Sequence, residues 1–199
     1  MTEQLGLRAR KKLQTRQRIE TAAFEHFERD GYDGATIEAI AAAADIAPRT
    51  FFYYFQTKED VVLSDYADRL DRIVSQLSER STSESPWDAL RASFLVVAAD
   101  YDAERDRIVR RFQIMATAPS VYARSLQLQA GWEDALAAAL AERMGCETEN
   151  LGPRLLASSA LSAMRSSQRH WIATGQQAPL PALVEQSFEQ LASGLADID

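Results

Sequence analysis

The sequence predicts an all-α fold built from an N-terminal helix-turn-helix part and a C-terminal helical body, and three observations predict it. Apolar residues recur at helical spacing along nearly the whole chain and nowhere alternate as a strand would require. Residues 36–58, TIEAIAAAADIAPRTFFYYFQTK, form two short helical patterns joined by a tight turn. A polar, Ser-rich stretch ending in proline, SERSTSESP at 78–86, then separates this part from the rest. About nine helices are expected, in a helix-turn-helix part at 1–58, a linking helix and loop at 59–85, and a body at 86–199.

Taken in order, residues 13–30 place Ile19, Ala22, Ala23 and Phe27 on one face. Gly31 follows as an expected left-handed C-terminal cap. His26 lies among charged residues of this helix and reads as solvated. Thr36 precedes an apolar run, so its hydroxyl suits an N-cap, and Ile37, Ile40, Ala41 and Ala44 continue a buried stripe. Pro48 opens the next helix, where its fixed φ fits and its missing N–H would have no partner anyway. Phe51 and Phe55, four apart, point inward and leave Arg49, Thr50, Tyr53 and Tyr54 outside.

Lys58 opens a further helix through Val61, Val62, Leu63, Tyr66, Leu70, Ile73 and Leu77, read as one continuous rod. Beyond Pro86 the patterns at 87–101, 104–116, 119–145, 150–174 and 181–195 are helical again. Pro119 starts the third of these; Gly145 and Gly175 close the third and fourth.

Bulk numbers bound the class. With 46% hydrophobic and 26% charged residues the chain has an ordinary globular composition. No apolar run approaches the ~20 residues needed to span a bilayer. The first residues carry no apolar signal region, so a cytoplasmic protein without membrane contact is expected. Cys146 is the single cysteine, which excludes an internal disulfide. The net charge of −7 sits poorly with nucleic acid until its distribution is considered. Within residues 1–18, six cations (Arg8, Arg10, Lys11, Lys12, Arg16, Arg18) face Glu3 alone, a net of +5, and the acidic excess lies mainly beyond Asp60.

Helix, tight turn, and a second helix bearing a guanidinium, a hydroxyl and two phenols is the arrangement that sets a recognition helix in the major groove. Arginine can bond bidentately to guanine, threonine and tyrosine can reach base edges or phosphates, and aromatic faces can pack on thymine methyls. These residues resemble a known family. TIEAIA at 36–41, IAPRTFFYYF at 46–55 and KED at 58–60 are similar to the DNA-binding domain of TetR-type regulators, over roughly residues 10–65. The candidate DNA contacts are Arg10, Lys12, Thr36, Pro48, Arg49, Thr50, Tyr53, Tyr54 and Lys58. This chain departs from the pattern at Ala47, where a small capping Ser is usual, at Arg49, where Gly is frequent, and at Phe52, where Tyr is frequent.

The resemblance implies a C-terminal domain that binds a small effector and a homodimer that reads a palindromic operator. Aromatic and Met residues at helical spacing are core by default. The sharper reading gathers Phe94, Val97, Tyr101, Phe112, Met115, Tyr122, Leu126, Gln129, Trp132, Met164, Arg165 and Gln168 around a ligand cavity. The last two helices are the implied dimer interface, with Ala157, Leu161, Phe188 and Leu191 as candidates; Leu195 extends that stripe.

Catalytic signatures are missing. The sequence has no Gly-rich phosphate loop, no G-x-S-x-G and no H-E-x-x-H, and its two histidines, His26 and His170, stand far apart. No metal site, cofactor or enzyme activity is expected. The leading reading is a homodimeric repressor released from a palindromic operator by an apolar or amphipathic molecule. One alternative is a helical small-molecule binding protein or enzyme with a purely structural N-terminal bundle. Another is a DNA-binding regulator with no small-molecule ligand.

Overall fold

The computed structural model describes residues 6–194, and among them every regular element is an α-helix. Glu3 and Leu195, invoked above, lie outside the described residues. There are ten helices: α1 (Leu7–Asp30), α2 (Ile37–Ala43), α3 (Pro48–Tyr54), α4 (Lys58–Val62), α5 (Tyr66–Glu79), α6 (Pro86–Ala103), α7 (Arg105–Thr117), α8 (Pro119–Met144), α9 (Leu151–Ala173) and α10 (Leu180–Ser193). The tenth arises because the expected linking rod is broken. Leu63, Ser64 and Asp65 form a turn between α4 and α5, although the apolar spacing runs on through them. No helix among the described residues is long and apolar enough to cross a membrane.

The chain divides into two compact units. The first contains the residues up to Ser64 together with 113–125; the second contains 65–112 and 126 onward.

In the first unit, α1 buries Ile19, Ala22, Ala23, His26 and Phe27. Its end is set by Gly31 at φ 74°, ψ 161°. The positive φ is as expected, but the extended ψ is a region open essentially to glycine alone, so the chain leaves the helix extended instead of curling into a left-handed cap. Gly34 is demanded by space, since a Cβ there would overlap the carbonyl oxygen of Asp30. His26 is not solvated. It is 8% exposed, and its Nδ1 meets the Asp30 carboxylate one turn later at 2.9 Å. Thr36 caps α2 as expected, its Oγ1 accepting from the Ala39 N–H at 3.1 Å. Pro48 occupies the first turn of α3, while Ala47 makes no side-chain cap bond. Phe51 and Phe55 are buried, and Thr57 caps α4 by accepting from the Asp60 N–H at 3.2 Å.

In the second unit, the α5–α6 loop is held by Arg143 of α8. Its guanidinium donates to the carbonyls of Arg80 (3.1 Å), Ser81 and Glu84 (3.0 Å), which gives the Ser-rich stretch a fixed course. Ser85 caps α6 by accepting from the Asp88 N–H at 3.0 Å. The core centres on Phe188 of α10, whose ring lies 4.7 Å from Trp87 and 5.8 Å from Phe94 of α6. Trp171 on α9 is also fully buried, the largest side chain to be so among the described residues.

Candidate nucleic-acid interface and ligand cleft

α3 has seven residues and two contrasting faces. Phe51 is 0% exposed and anchors the helix; Phe52 and Tyr53 are 54% and 71% exposed, and Arg49 and Pro48 stand out on the same side. Thr50 and Tyr54 are half-buried, with Tyr54 edge-on to Tyr53 at 5.1 Å. Arg49 has no hydrogen-bond or ion-pair partner among the described residues, so its five donors are available to a ligand. The basic start of α1 reaches the same region. Lys12 Nζ lies 5.5 Å from the Tyr53 ring centroid, and Arg10 is exposed.

The candidate set is not uniform. Thr36 is exposed with its hydroxyl oxygen engaged in the cap, yet its O–H can still donate. Lys58 is turned inward: its ammonium donates to the carbonyls of Tyr32 (2.9 Å) and Ala35 (2.8 Å) and lies 4.6 Å from the Tyr32 ring centroid. It staples the α1–α2 connection to α4, and only one of its three donors is left over. Phe52, by contrast, stands on the exposed face although the sequence marked it only as a departure from the family pattern and not as a DNA contact. Helical spacing held the signal, since 52 is one turn beyond Pro48 and three residues beyond Arg49.

The second unit contains a cleft of about 40 Å³ lined by Tyr66, Val97, Tyr101, Gln129, Trp132, Leu161, Met164, Arg165 and Gln168. Seven of the twelve expected cavity residues are there. Tyr66, already on the apolar stripe of its helix, joins them, and Leu161, assigned above to the dimer face, lines the cleft as well. Phe94 is instead core, packed on Phe188. Met115 and Tyr122 belong to the first unit, Tyr122 being 50% exposed; Phe112 is half-buried and Leu126 is 44% exposed, both outside the cleft wall.

The polar groups of the cleft differ in kind. Burial pushes the phenols of Tyr66 and Tyr101 above their ordinary range, so both stay neutral, and the side chains of Gln129 and Gln168 temper that rise. Tyr101 also carries the Arg69 guanidinium over its ring at 3.8 Å. Arg165 is the exposed member, and it donates to Gln129 Oε1 at 3.0 Å and Ser162 Oγ at 3.1 Å. Both partners are neutral, so its charge is uncompensated by any carboxylate among the described residues.

Behind the cleft lies a buried charge cluster. Asp65 receives Arg69 Nε at 2.7 Å and Arg111 Nη1 at 2.5 Å, and Arg69 also meets Glu104 at 3.3 Å. Burial pushes the Asp65 carboxyl up, but Arg111 and Arg69 together outweigh it and hold the group below its ordinary value.

Of the four candidate interface residues, Ala157 and Phe188 are 0% exposed within the unit. Leu161 and Leu191 are half-buried. The apolar side chains that α9 does present outward are Leu151 and Leu155, 67% and 54% exposed. Among the described residues no group of three or more His, Cys, Asp or Glu is placed to hold a metal ion.

Residues 19–64 match the bacterial regulatory proteins of the tetR family, and residues 84–196 match the family described as the MftR C-terminal domain. The chain belongs to the TetR family of transcriptional regulators. It is 27% identical over 186 residues to MftR of Mycobacterium tuberculosis, named as a mycofactocin biosynthesis transcriptional regulator, covering 94% of this chain and 93% of that one. TcmR of Streptomyces glaucescens, an HTH-type transcriptional regulator, is 29% identical over 173 residues, 83% of this chain and 76% of its own. Among solved structures, the TetR-family repressor FadR of Thermus thermophilus in complex with lauroyl-CoA superposes with a TM-score of 0.59 at 23% identity, over 92% of this chain and 96% of that one. α2 and α3 both lie within the matched residues 19–64, and the chain is a DNA-binding transcriptional regulator.

Proposed function

We propose that this TetR-family protein is a homodimeric repressor whose operator binding is released by an amphipathic effector with an apolar body and an anionic end. The observation that carries the DNA half is the outward stripe of Arg49, Phe52 and Tyr53 on a helix anchored by Phe51. Arg49 supplies base readout, while Arg10 and Lys12 at the start of α1 supply phosphate contacts. Two copies are what a palindromic site requires, one recognition helix per half-site about one helical turn apart. For the interface on α9 and α10, the exposed Leu151 and Leu155 with the half-buried Leu161 and Leu191 are the available apolar surface.

The effector reading rests on the cleft. Its wall is apolar apart from two phenols and two amides, and Arg165 adds a cation held by neutral groups. That combination suits a hydrocarbon chain with an anionic terminus, and the FadR relative's complex with lauroyl-CoA is a ligand of this kind. At about 40 Å³ the cleft has room for only a few waters, whereas pockets for drug-sized ligands run to roughly 300–1,000 Å³. The effector therefore binds a more open conformation, and its differential affinity shifts the population away from the form that fits DNA. No catalytic step is assigned.

The test is an anisotropy titration of the protein on its selected operator, with lauroyl-CoA, laurate and dodecanol added in turn. Release by the anionic amphiphiles at concentrations where dodecanol fails supports the reading. A bound operator indifferent to all three, with no thermal shift of the protein, would exclude this effector class.

A further inference from the structure

The recognition helix displays one side chain whose exposure neither phosphate contact nor hydrogen-bonded base readout explains. Phe52 is 54% exposed, and its ring stands edge-on to Phe51 with centroids 5.7 Å apart and planes at 82°. Phe51 is 0% exposed, so the Phe52 ring is supported from behind by the core of the unit. A phenyl ring has no donor or acceptor. Phosphate oxygens and the nitrogen and oxygen atoms of base edges offer it nothing beyond lost hydration. The major groove nevertheless displays one hydrocarbon group, the 5-methyl of thymine.

Arg49 fixes what lies beside that methyl. It is three residues before Phe52 on the same helix, a spacing that brings Cβ atoms to within about 5–6 Å of each other. The axial advance over three residues is about 4.5 Å, comparable to one base-pair step of about 3.4 Å. The two side chains thus address neighbouring base pairs, and the commonest specific contact of arginine is bidentate bonding to guanine O6 and N7.

We propose that Phe52 is a specificity-determining residue that reads a thymine methyl in each operator half-site, next to a guanine–cytosine pair read by Arg49. The proposal rests on α3 being the DNA-reading helix and adds what that helix selects. It also gives a use to the departure at this position, where the family often has tyrosine: losing the hydroxyl removes a polar contact and leaves a face suited to a methyl.

The test replaces each thymine of the selected operator in turn by deoxyuridine, which deletes the methyl and nothing else. Wild-type protein loses about fourfold in affinity at one thymine of each half-site, the worth of one methyl group removed from water, and about sixteenfold when both half-sites are changed. That thymine adjoins the base pair at which Arg49→Ala relaxes selection. Phe52→Ala binds the thymine and deoxyuridine operators equally, and Phe52→Leu keeps part of the difference; the melting temperature of each variant confirms that it is folded. Wild-type protein indifferent to deoxyuridine at every position, or Phe52→Ala retaining the discrimination, overturns the proposal while leaving DNA binding intact. If neither protein binds any duplex at low salt, the DNA-binding reading fails first and the proposal falls with it.

Discussion

Arg111, 1% exposed on α7, reaches the carboxylate of Asp65 at 2.5 Å across 46 residues of sequence. Asp65 immediately precedes α5 but makes no cap bond there, because Arg111 and Arg69 take its oxygens instead. Removing the carboxylate takes from the buried Arg111 and Arg69 guanidiniums the anion they share, so Asp65→Asn should cost about 3–5 kcal/mol of stability. Chemical denaturation of the variant checks this, and a loss below 1 kcal/mol would show that the cluster is not held by this charge.

The same pair sets an acid limit. The folded-state carboxyl of Asp65 is held below its ordinary value of 3.8. A depressed pKa contributes stability that is present above the unfolded value and lost as the pH falls through the folded one. Unfolding free energy of the wild type should therefore decline below about pH 4, and the Asp65→Asn curve, lower at neutral pH, should converge on it. Parallel curves down to the acid transition would contradict the assignment.

Lys58 and Arg10 should separate structure from DNA contact. Lys58 donates to the carbonyls of Tyr32 and Ala35, so Lys58→Ala lowers stability by about 1–3 kcal/mol through charged hydrogen bonds lost. It leaves the salt dependence of operator binding unchanged. Arg10→Ala, at an exposed position, leaves stability within about 0.5 kcal/mol and reduces the slope of log K against log salt by about 1. Melting curves and anisotropy at several salt concentrations distinguish the two.

At the cleft, Arg165→Ala should weaken an anionic amphiphile by about tenfold, close to 1.4 kcal/mol, and leave a neutral analogue of the same chain length untouched. Calorimetric titration with laurate and dodecanol measures both. Equal effects on the two ligands would mean that Arg165 acts through packing alone.

How far the sequence carried depends on how local each feature is. Most of the helices, the Thr36 cap, and the inward Phe51 and Phe55 follow from spacing and capping within a few residues, and these were legible. The turn at 63–65 was not, because Leu63 and Tyr66 keep the apolar period while Asp65 is drawn away by Arg111. Lys58 looked like a DNA contact because its partners, Tyr32 and Ala35, lie 26 and 23 residues back. Phe188 and Ala157 carry the composition of an interface but are consumed by their own unit, Phe188 by Trp87 and Phe94. Phe52 was hidden among aromatics that mostly form the core, although its register with Arg49 placed it outside.

If α3 reads a specific duplex as part of a dimer, the protein should select a symmetric site. The most direct measurement is selection of bound duplexes from a random-sequence pool by the purified protein, followed by sequencing, in parallel with Arg49→Ala. The expected result is a palindromic consensus with half-sites about one helical turn apart or a multiple of it, and loss of selection at one guanine per half-site in the variant. No enrichment at low salt, or an identical consensus from wild type and Arg49→Ala, would contradict it.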